Sequence, residues 1–147
     1  MLHLDLSAIQ LKLKQEDAKT YVFDVIRKKW FFLSPEEHVR QHLIHFFIST
    51  MQYPQGMIAV EKQIKVGTLN KRFDIVIYTR DHKPWMLVEC KEPATEINEK
   101  VLHQLLNYQR TIQCDYWMLS NGHQNFCANA SDIQDIKWME TLPAYQL

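Results

Sequence analysis

Two short apolar runs, RFDIVIYT (72–79) and PWMLVECK (84–91), stand either side of the polar segment Arg80-Asp81-His82-Lys83. The pattern predicts a β-hairpin, and both faces of its two strands are largely apolar. Such strands must be covered from above and below, which places them in the middle of a sheet with further layers on each side. An all-helical fold is excluded, and so is a sheet with one wet face.

The flanking segments supply the covering layers. Ser34-Pro35-Glu36-Glu37 predicts a helix start, with Ser34 as N-cap, proline at the first turn and Glu37 closing a capping box. That helix should run to about Thr50 and bury Val39, Leu43, Phe46 and Phe47. The turn Tyr53-Pro54-Gln55-Gly56 ends it, and the alternating MIAVEKQIKV (57–66) reads as a strand. A second helix is expected over about 95–113, with Ile97, Val101, Leu105, Tyr108 and Ile112 as its buried stripe. DYWMLSNG (115–122) and QNFCANA (124–130) read as two more strands. Upstream, LKLK (11–14) and TYVFDVI (20–26) suggest an N-terminal hairpin. The expected fold class is α/β: a central mixed sheet flanked by helices, with an N-terminal β-hairpin. One domain fills residues 1–147, with a β-rich extension (1–33), a core (34–130) and a C-terminal extension (131–147) of no clear pattern.

The hairpin also carries the chemistry. A turn centred between Asp81 and His82 sets Asp74 directly opposite Glu89, and Lys91, two residues on, shares the face of Glu89. Two carboxylates about 4 Å apart repel by roughly 4 kcal/mol at an effective dielectric near 20. Protonation of one acid or a cation between them relieves this, and hard oxygen donors suit Mg²⁺ or Mn²⁺.

In this order the residues resemble a known family. Asp74 followed by Glu89-Cys90-Lys91 after a hairpin is similar to the signature of the PD-(D/E)XK nuclease superfamily. Gln104-Leu105-Leu106-Asn107-Tyr108 resembles the QxxxY motif of its RecB-like branch, and Ser34 through Gln41 resembles the first helix of the nuclease domain at the N-terminus of type I restriction enzyme R subunits. The likeness covers about residues 20–130; Phe73 stands where the motif has proline. The resemblance implies a restriction-endonuclease-like core and a Mg²⁺- or Mn²⁺-dependent deoxyribonuclease. Asp74 and Glu89 would hold the metal and Lys91 would help orient a water for attack on a phosphodiester. An acid of the first helix would complete the metal shell. Glu36 is preferred, because Glu37 already has a capping role and Glu36 lies on the Val39/Leu43 face. Gln104 and Tyr108 would stand beside the site. DNA is the implied partner, with a separate helicase or restriction–modification subunit as a further one.

Other features limit the function. The 17 Lys and Arg residues balance 17 Asp and Glu, so bulk positive charge does not grip nucleic acid. Local contacts are expected instead from Lys62, Lys65, Lys71 and Arg72, with Arg27-Lys28-Lys29 beside Trp30 as a second basic group. Charged strand edges that block aggregation explain them equally well. Glu61 can approach the site or face solvent. His38, His42 and His45 form a stripe on the first helix, read as a polar face. No GxxxxGK[ST] loop occurs, so no nucleotide cofactor is expected. Cys90, Cys114 and Cys127 have no CxxC spacing, which suits a reducing compartment. With no apolar run of about 18 residues and no signal-peptide pattern, a cytoplasmic location without a membrane is expected. The alternative function is a module that keeps the fold and binds nucleic acid or partners without cutting.

Overall fold

The computed structural model describes residues 1–146. Nine strands and two helices follow in the order β1 (Leu13–Glu16), β2 (Lys19–Asp24), β3 (Lys29–Phe32), α1 (Pro35–Ser49), β4 (Ile58–Val66), β5 (Leu69–Tyr78), β6 (Pro84–Cys90), α2 (Glu99–Leu106), β7 (Tyr116–Ser120), β8 (Asn125–Asn129) and β9 (Lys137–Trp138). Strands β4 to β9 form one six-stranded sheet in chain order. All neighbours in it are antiparallel except β6 and β7, which run parallel. The mixed α/β architecture is the expected one. No helix among the described residues is long and apolar enough to cross a membrane.

The hairpin strands β5 and β6 lie inside the sheet, and their apolar residues feed two cores. Ile75, Ile77, Met86 and Val88 pack with Val39, Leu43, Ile44 and Phe47 of α1. Val76, Leu87, Trp117 and Leu119 pack on the other face with Leu105 of α2 and with Ile97 and Ile112 beside it. One helix therefore covers each face, which is why both faces of these strands are apolar.

Three expectations need correction. The N-terminal segment is a three-stranded antiparallel sheet, because Lys29–Phe32 adds a third strand against β2. Helix α2 is shorter than its pattern suggested: Asn98 caps it, accepting the Val101 amide hydrogen at 3.1 Å, and it tightens into a 3-10 turn over Asn107–Arg110. The capping box on α1 is half formed. Ser34 Oγ accepts the Glu37 amide hydrogen at 3.1 Å, but the Ser34 amide donates to the Phe32 carbonyl at 3.0 Å. The Glu37 carboxylate is buried and is taken up by arginines instead.

Asp24 fastens the N-terminal sheet to α1. It is fully buried and accepts from the amides of Ile26 (2.7 Å) and Arg27 (2.9 Å), from Arg27 Nε (2.7 Å) and from Gln41 Nε2 (2.9 Å). Burial pushes its carboxyl up, but the bonds from Arg27, Gln41 and Ile26 outweigh that and hold it below the ordinary value of 3.8. An acid with a depressed folded value stabilises the fold fully above its unfolded value and loses that contribution as pH falls through the folded one. Thermal melts from pH 5 to pH 2 should therefore show a steeper loss below 3.8 in the wild type than in Asp24→Asn; parallel curves would contradict this role.

Candidate active site

The sequence-derived register is present. Ile75 pairs with Val88, Val76 with Leu87 and Ile77 with Met86, so Asp74 and Glu89 are the next positions along the two strands. The ladder reaches this register through an irregularity at Ile77/Tyr78. The two carboxylates, however, have different cations, Arg40 of α1 for Asp74 and Lys71 of β5 for Glu89.

Asp74 is held on the α1 side. Its Oδ1 accepts from Arg40 Nη2 at 2.7 Å and its Oδ2 from the Cys90 amide at 2.7 Å. The adjoining β4–β5 ladder skips the Glu61–Asp74 pair, although Val60–Ile75 and Lys62–Phe73 are in register around it. Glu61 has φ 55°, in the left-handed region that a non-glycine residue rarely adopts inside a strand. Phe73 belongs to the α2-side core and Ile75 to the α1-side core, whereas a regular strand would put both on one face. The interruption re-aims Asp74, as irregularities of this kind commonly do near functional sites.

Arg40 is the hub of this side. It is buried, and besides Asp74 it meets Glu61 at 2.5 Å, Glu37 at 3.0 Å and Glu36 at 3.6 Å. Its Nε has no hydrogen-bond partner. Arg27 adds a second cation on Glu37, at 2.7 Å. Four carboxylates around Arg40 exceed what it neutralises, and the excess falls on Glu36. Burial, then the adjacent Asp74 carboxylate and Glu61, raise the Glu36 carboxyl above its ordinary range, with Arg40 pulling it down. Glu36, not the more buried Glu37, is thus the helix acid that lies against Asp74.

Glu89 is held on the α2 side, where Lys71 Nζ meets it at 2.7 Å. Glu89, Lys91, Gln104 and Tyr108 line one small cavity of about 100 Å³, together with Lys71, Val101 and Leu105. The QxxxY pair and the ExK pair are therefore brought together. The Tyr108 ring packs edge-on to Phe73 (5.9 Å) and stacks with Trp117 (6.4 Å). The Lys91 amide donates to the Ser120 carbonyl at 2.8 Å, and the Lys91 ammonium has no ion-pair partner among the described residues. The loop that follows Lys91 is clamped by Asn121, whose Nδ2 donates to the Thr95 carbonyl at 2.8 Å. A larger hollow of about 370 Å³, lined by Thr79, Lys83 and Pro84, lies at the turn end of the hairpin, away from these groups.

Asp74 is bonded to Arg40 and to the Cys90 amide, while Glu89 and Lys91 border the cavity that Gln104 and Tyr108 also line. Each of the two acids has its own cation, Arg40 for Asp74 and Lys71 for Glu89. This is a third way to relieve two facing carboxylates, beside protonation and a shared metal. Sequence reasoning missed Arg40, although its spacing three and four residues after Glu37 and Glu36 was a usable signal. Among the nucleic-acid candidates, Lys71 is the partner of Glu89, Arg72 is exposed and 3.6 Å from Glu61, and Lys62 and Lys65 are exposed. His38 and His42 lie ring against ring at 4.3 Å. The three cysteines are buried and free, and burial pushes the Cys114 and Cys127 thiols up to about 12.

A family model described as "Type I restriction enzyme R protein N terminus (HSDR_N)" matches residues 35–143. The chain belongs to that family. The HSDR_N span opens at the first residue of α1 and contains both carboxylate groups, Lys91, Gln104 and Tyr108; β1 to β3 lie outside it. The membership agrees with the likeness to PD-(D/E)XK nucleases carried by the motifs. A solved structure from Anabaena variabilis ATCC 29413, described as a "putative nuclease belonging to DUF820", superposes with a TM-score of 0.50 and 12% identity. It covers 86% of this HSDR_N chain and 80% of its own. At that identity the likeness speaks for the fold alone. No curated protein matches the sequence.

Proposed function

We propose that this chain hydrolyses DNA phosphodiester bonds with the help of a divalent cation, Mg²⁺ or Mn²⁺. The observation that carries the reading is the convergence of Glu89, Lys91, Gln104 and Tyr108 on one cavity, with Asp74 bonded to the amide of Cys90, the residue between Glu89 and Lys91. Family membership supports the same class of reaction, and the fold is shared with the DUF820 protein described as a "putative nuclease".

The donor chemistry fits a hard cation. Asp74, Glu89 and Glu36 offer carboxylate oxygens, and Glu36 is raised by burial first and by the neighbouring Asp74 carboxylate second. Among the described residues no group of three or more acidic, histidine or cysteine side chains is arranged so that it could hold a metal ion as it stands. Holding an ion therefore requires Asp74 or Glu89 to exchange contact with Arg40 or Lys71 for contact with the ion. When bound, the ion would supply Lewis-acid stabilisation of charge on the phosphoryl oxygens.

The chain's own residues do the rest. Lys91, a cation with no carboxylate on it, is free to hold a non-bridging phosphate oxygen or the attacking water. Gln104 and Tyr108 offer an amide and a hydroxyl to the same cavity and fix the orientation of what enters. Arg40 and Lys71 keep the acids in place until substrate and ion arrive. A separate motor or restriction–modification subunit would deliver the DNA, since the balanced charge gives little affinity of its own.

The test is cleavage of end-labelled single-stranded and duplex DNA by the full chain in Mg²⁺ or Mn²⁺, alongside thermal melts in the same ions. Expected are cleavage that EDTA abolishes and a melting temperature that climbs with the ion, by linkage about 2.7 kcal/mol of stability at 100 times the dissociation constant. Inert protein on every substrate, with melts indifferent to both ions, would overturn the reading in favour of a module that binds without cutting.

A further inference from the structure

The N-terminal sheet presents a second surface, outside the span matched by the family. Its register places one set of side chains on each face. Val22 and Asp24, both fully buried, point toward the body of the protein. On the opposite face Lys14 stands across from Tyr21 and Tyr21 from Phe32, while Phe23 stands across from Trp30. Lys12, whose carbonyl accepts the Phe23 amide hydrogen at 2.9 Å, and Lys19, across from Glu16, complete this face.

Four aromatic rings on the outward side of a three-stranded sheet are more than such a surface ordinarily exposes. Phe32 is 54% exposed, and Tyr21, Phe23 and Trp30 are half-buried. They pair edge to face, Tyr21 with Phe32 at 6.2 Å and Phe23 with Trp30 at 5.4 Å. Lysines of the same sheet face already lie over two of the rings. Lys14 Nζ lies 4.6 Å from the Trp30 centroid, and Lys12 Nζ lies 5.0 Å from Phe23 and 5.7 Å from Trp30. The acid on this face, Glu16, is already paired with Lys14 at 3.3 Å. In a chain whose formal charges cancel, the patch is locally basic.

Aromatic faces interleaved with lysines match one ligand chemistry: unstacked bases joined by phosphates. Bases of a single strand can lie on the rings while the backbone meets the ammonium groups; bases inside a duplex cannot. We infer that the β1–β3 face, with Trp30 and Phe32 as stacking platforms and Lys12, Lys14 and Lys19 as phosphate contacts, binds single-stranded DNA. This deepens the hydrolase reading, on which it rests only for the cutting of what is held. The sheet is tied to the acidic cluster through Arg27, which bonds both Asp24 and Glu37.

Fluorescence anisotropy of labelled oligo-dT against the full chain in EDTA measures binding without cleavage. Tighter binding of oligo-dT than of a duplex of equal length is expected, with a salt slope near −2, about −0.7 for each of three phosphates met. Trp30→Ala and the more exposed Phe32→Ser should each weaken binding about tenfold, and Lys12→Gln should flatten the slope by about 0.7. Melts check that each variant is folded, and Phe32→Ser carries the test if Trp30→Ala is not. The inference falls if duplex or oligo-rU binds more tightly, or if folded variants bind like wild type. It also falls if sedimentation shows the face consumed in a Phe32-dependent dimer that leaves oligo-dT unbound. Cleavage by the wild type in Mg²⁺ is scored separately: cleavage without oligo-dT binding overturns the platform alone, and oligo-dT binding without cleavage overturns the hydrolase alone.

Discussion

Lys91→Ala lowers the rate of metal-dependent DNA cleavage by about 10²–10⁴-fold, the range for removing a positioned proton-transfer or charge-stabilising group. The substitution leaves the melting temperature within a few degrees of wild type. Lys91 makes no ion pair, its side chain borders a cavity, and its structural bond to Ser120 is made by the backbone, which alanine retains. The loss should appear in kcat far more than in KM, because the ammonium is called on where charge develops rather than where DNA is first held. Single-turnover cleavage of one labelled substrate by the two proteins decides it. Equal rates would move the reacting centre away from the ExK pair, and with it the account of the cavity shared with Gln104 and Tyr108.

The second large effect is on stability. Arg40→Ala should cost about 3–5 kcal/mol at neutral pH, the usual penalty for stripping one partner from a buried ion pair. Glu37 and Asp74, with side chains 7% and 14% exposed, would keep their charges and lose their main shared cation. Arg40→Lys should recover only part of the loss. A single ammonium cannot reproduce the planar fork that donates to Glu37 through one nitrogen and to Asp74 and Glu61 through the other. The sign of the pH dependence follows from the crowding. Removing Arg40 takes away the cation that pulls the already raised Glu36 carboxyl down, so the destabilisation is greatest where Glu36 is ionised and is relieved as pH falls and the folded state takes up a proton. Urea unfolding at pH 7.5 and pH 4.5 should show the gap between variant and wild type narrowing at the lower pH. A variant within about 1 kcal/mol of wild type at pH 7.5 would mean that the cluster is solvated rather than bound to Arg40.

The parts legible from sequence are those governed by neighbours along the chain. Ser34-Pro35 announced α1 to within a residue of its start, because a cap is a contact between residues three apart. The apolar alternation of β5 and β6 carried their pairing, since a slip of one residue would have exchanged core and solvent faces. The QxxxY spacing set Gln104 and Tyr108 about one helical turn apart, and both reach the cavity of Glu89 and Lys91 even though α2 had already tightened into a 3-10 turn at Tyr108. The third N-terminal strand escaped notice because Lys29–Phe32 is short and earns its place only by pairing with β2.

What the sequence by itself determined is which charged groups lie near the end of the hairpin; what only the tertiary structure decided is which of them touch. Facing carboxylates at Asp74 and Glu89 create an electrostatic problem that any register-aware reading detects, but its solution depends on cations distant in the chain. Arg40 reaches Asp74 across 34 positions, and Lys71 reaches Glu89 from the neighbouring strand. Coulomb attraction acts through space and is strongest where packing has removed water, so the choice of partner follows from the fold. The same cause set Glu37 against two arginines instead of its helix cap, and aimed Asp74 at α1 while Glu89 stayed with α2.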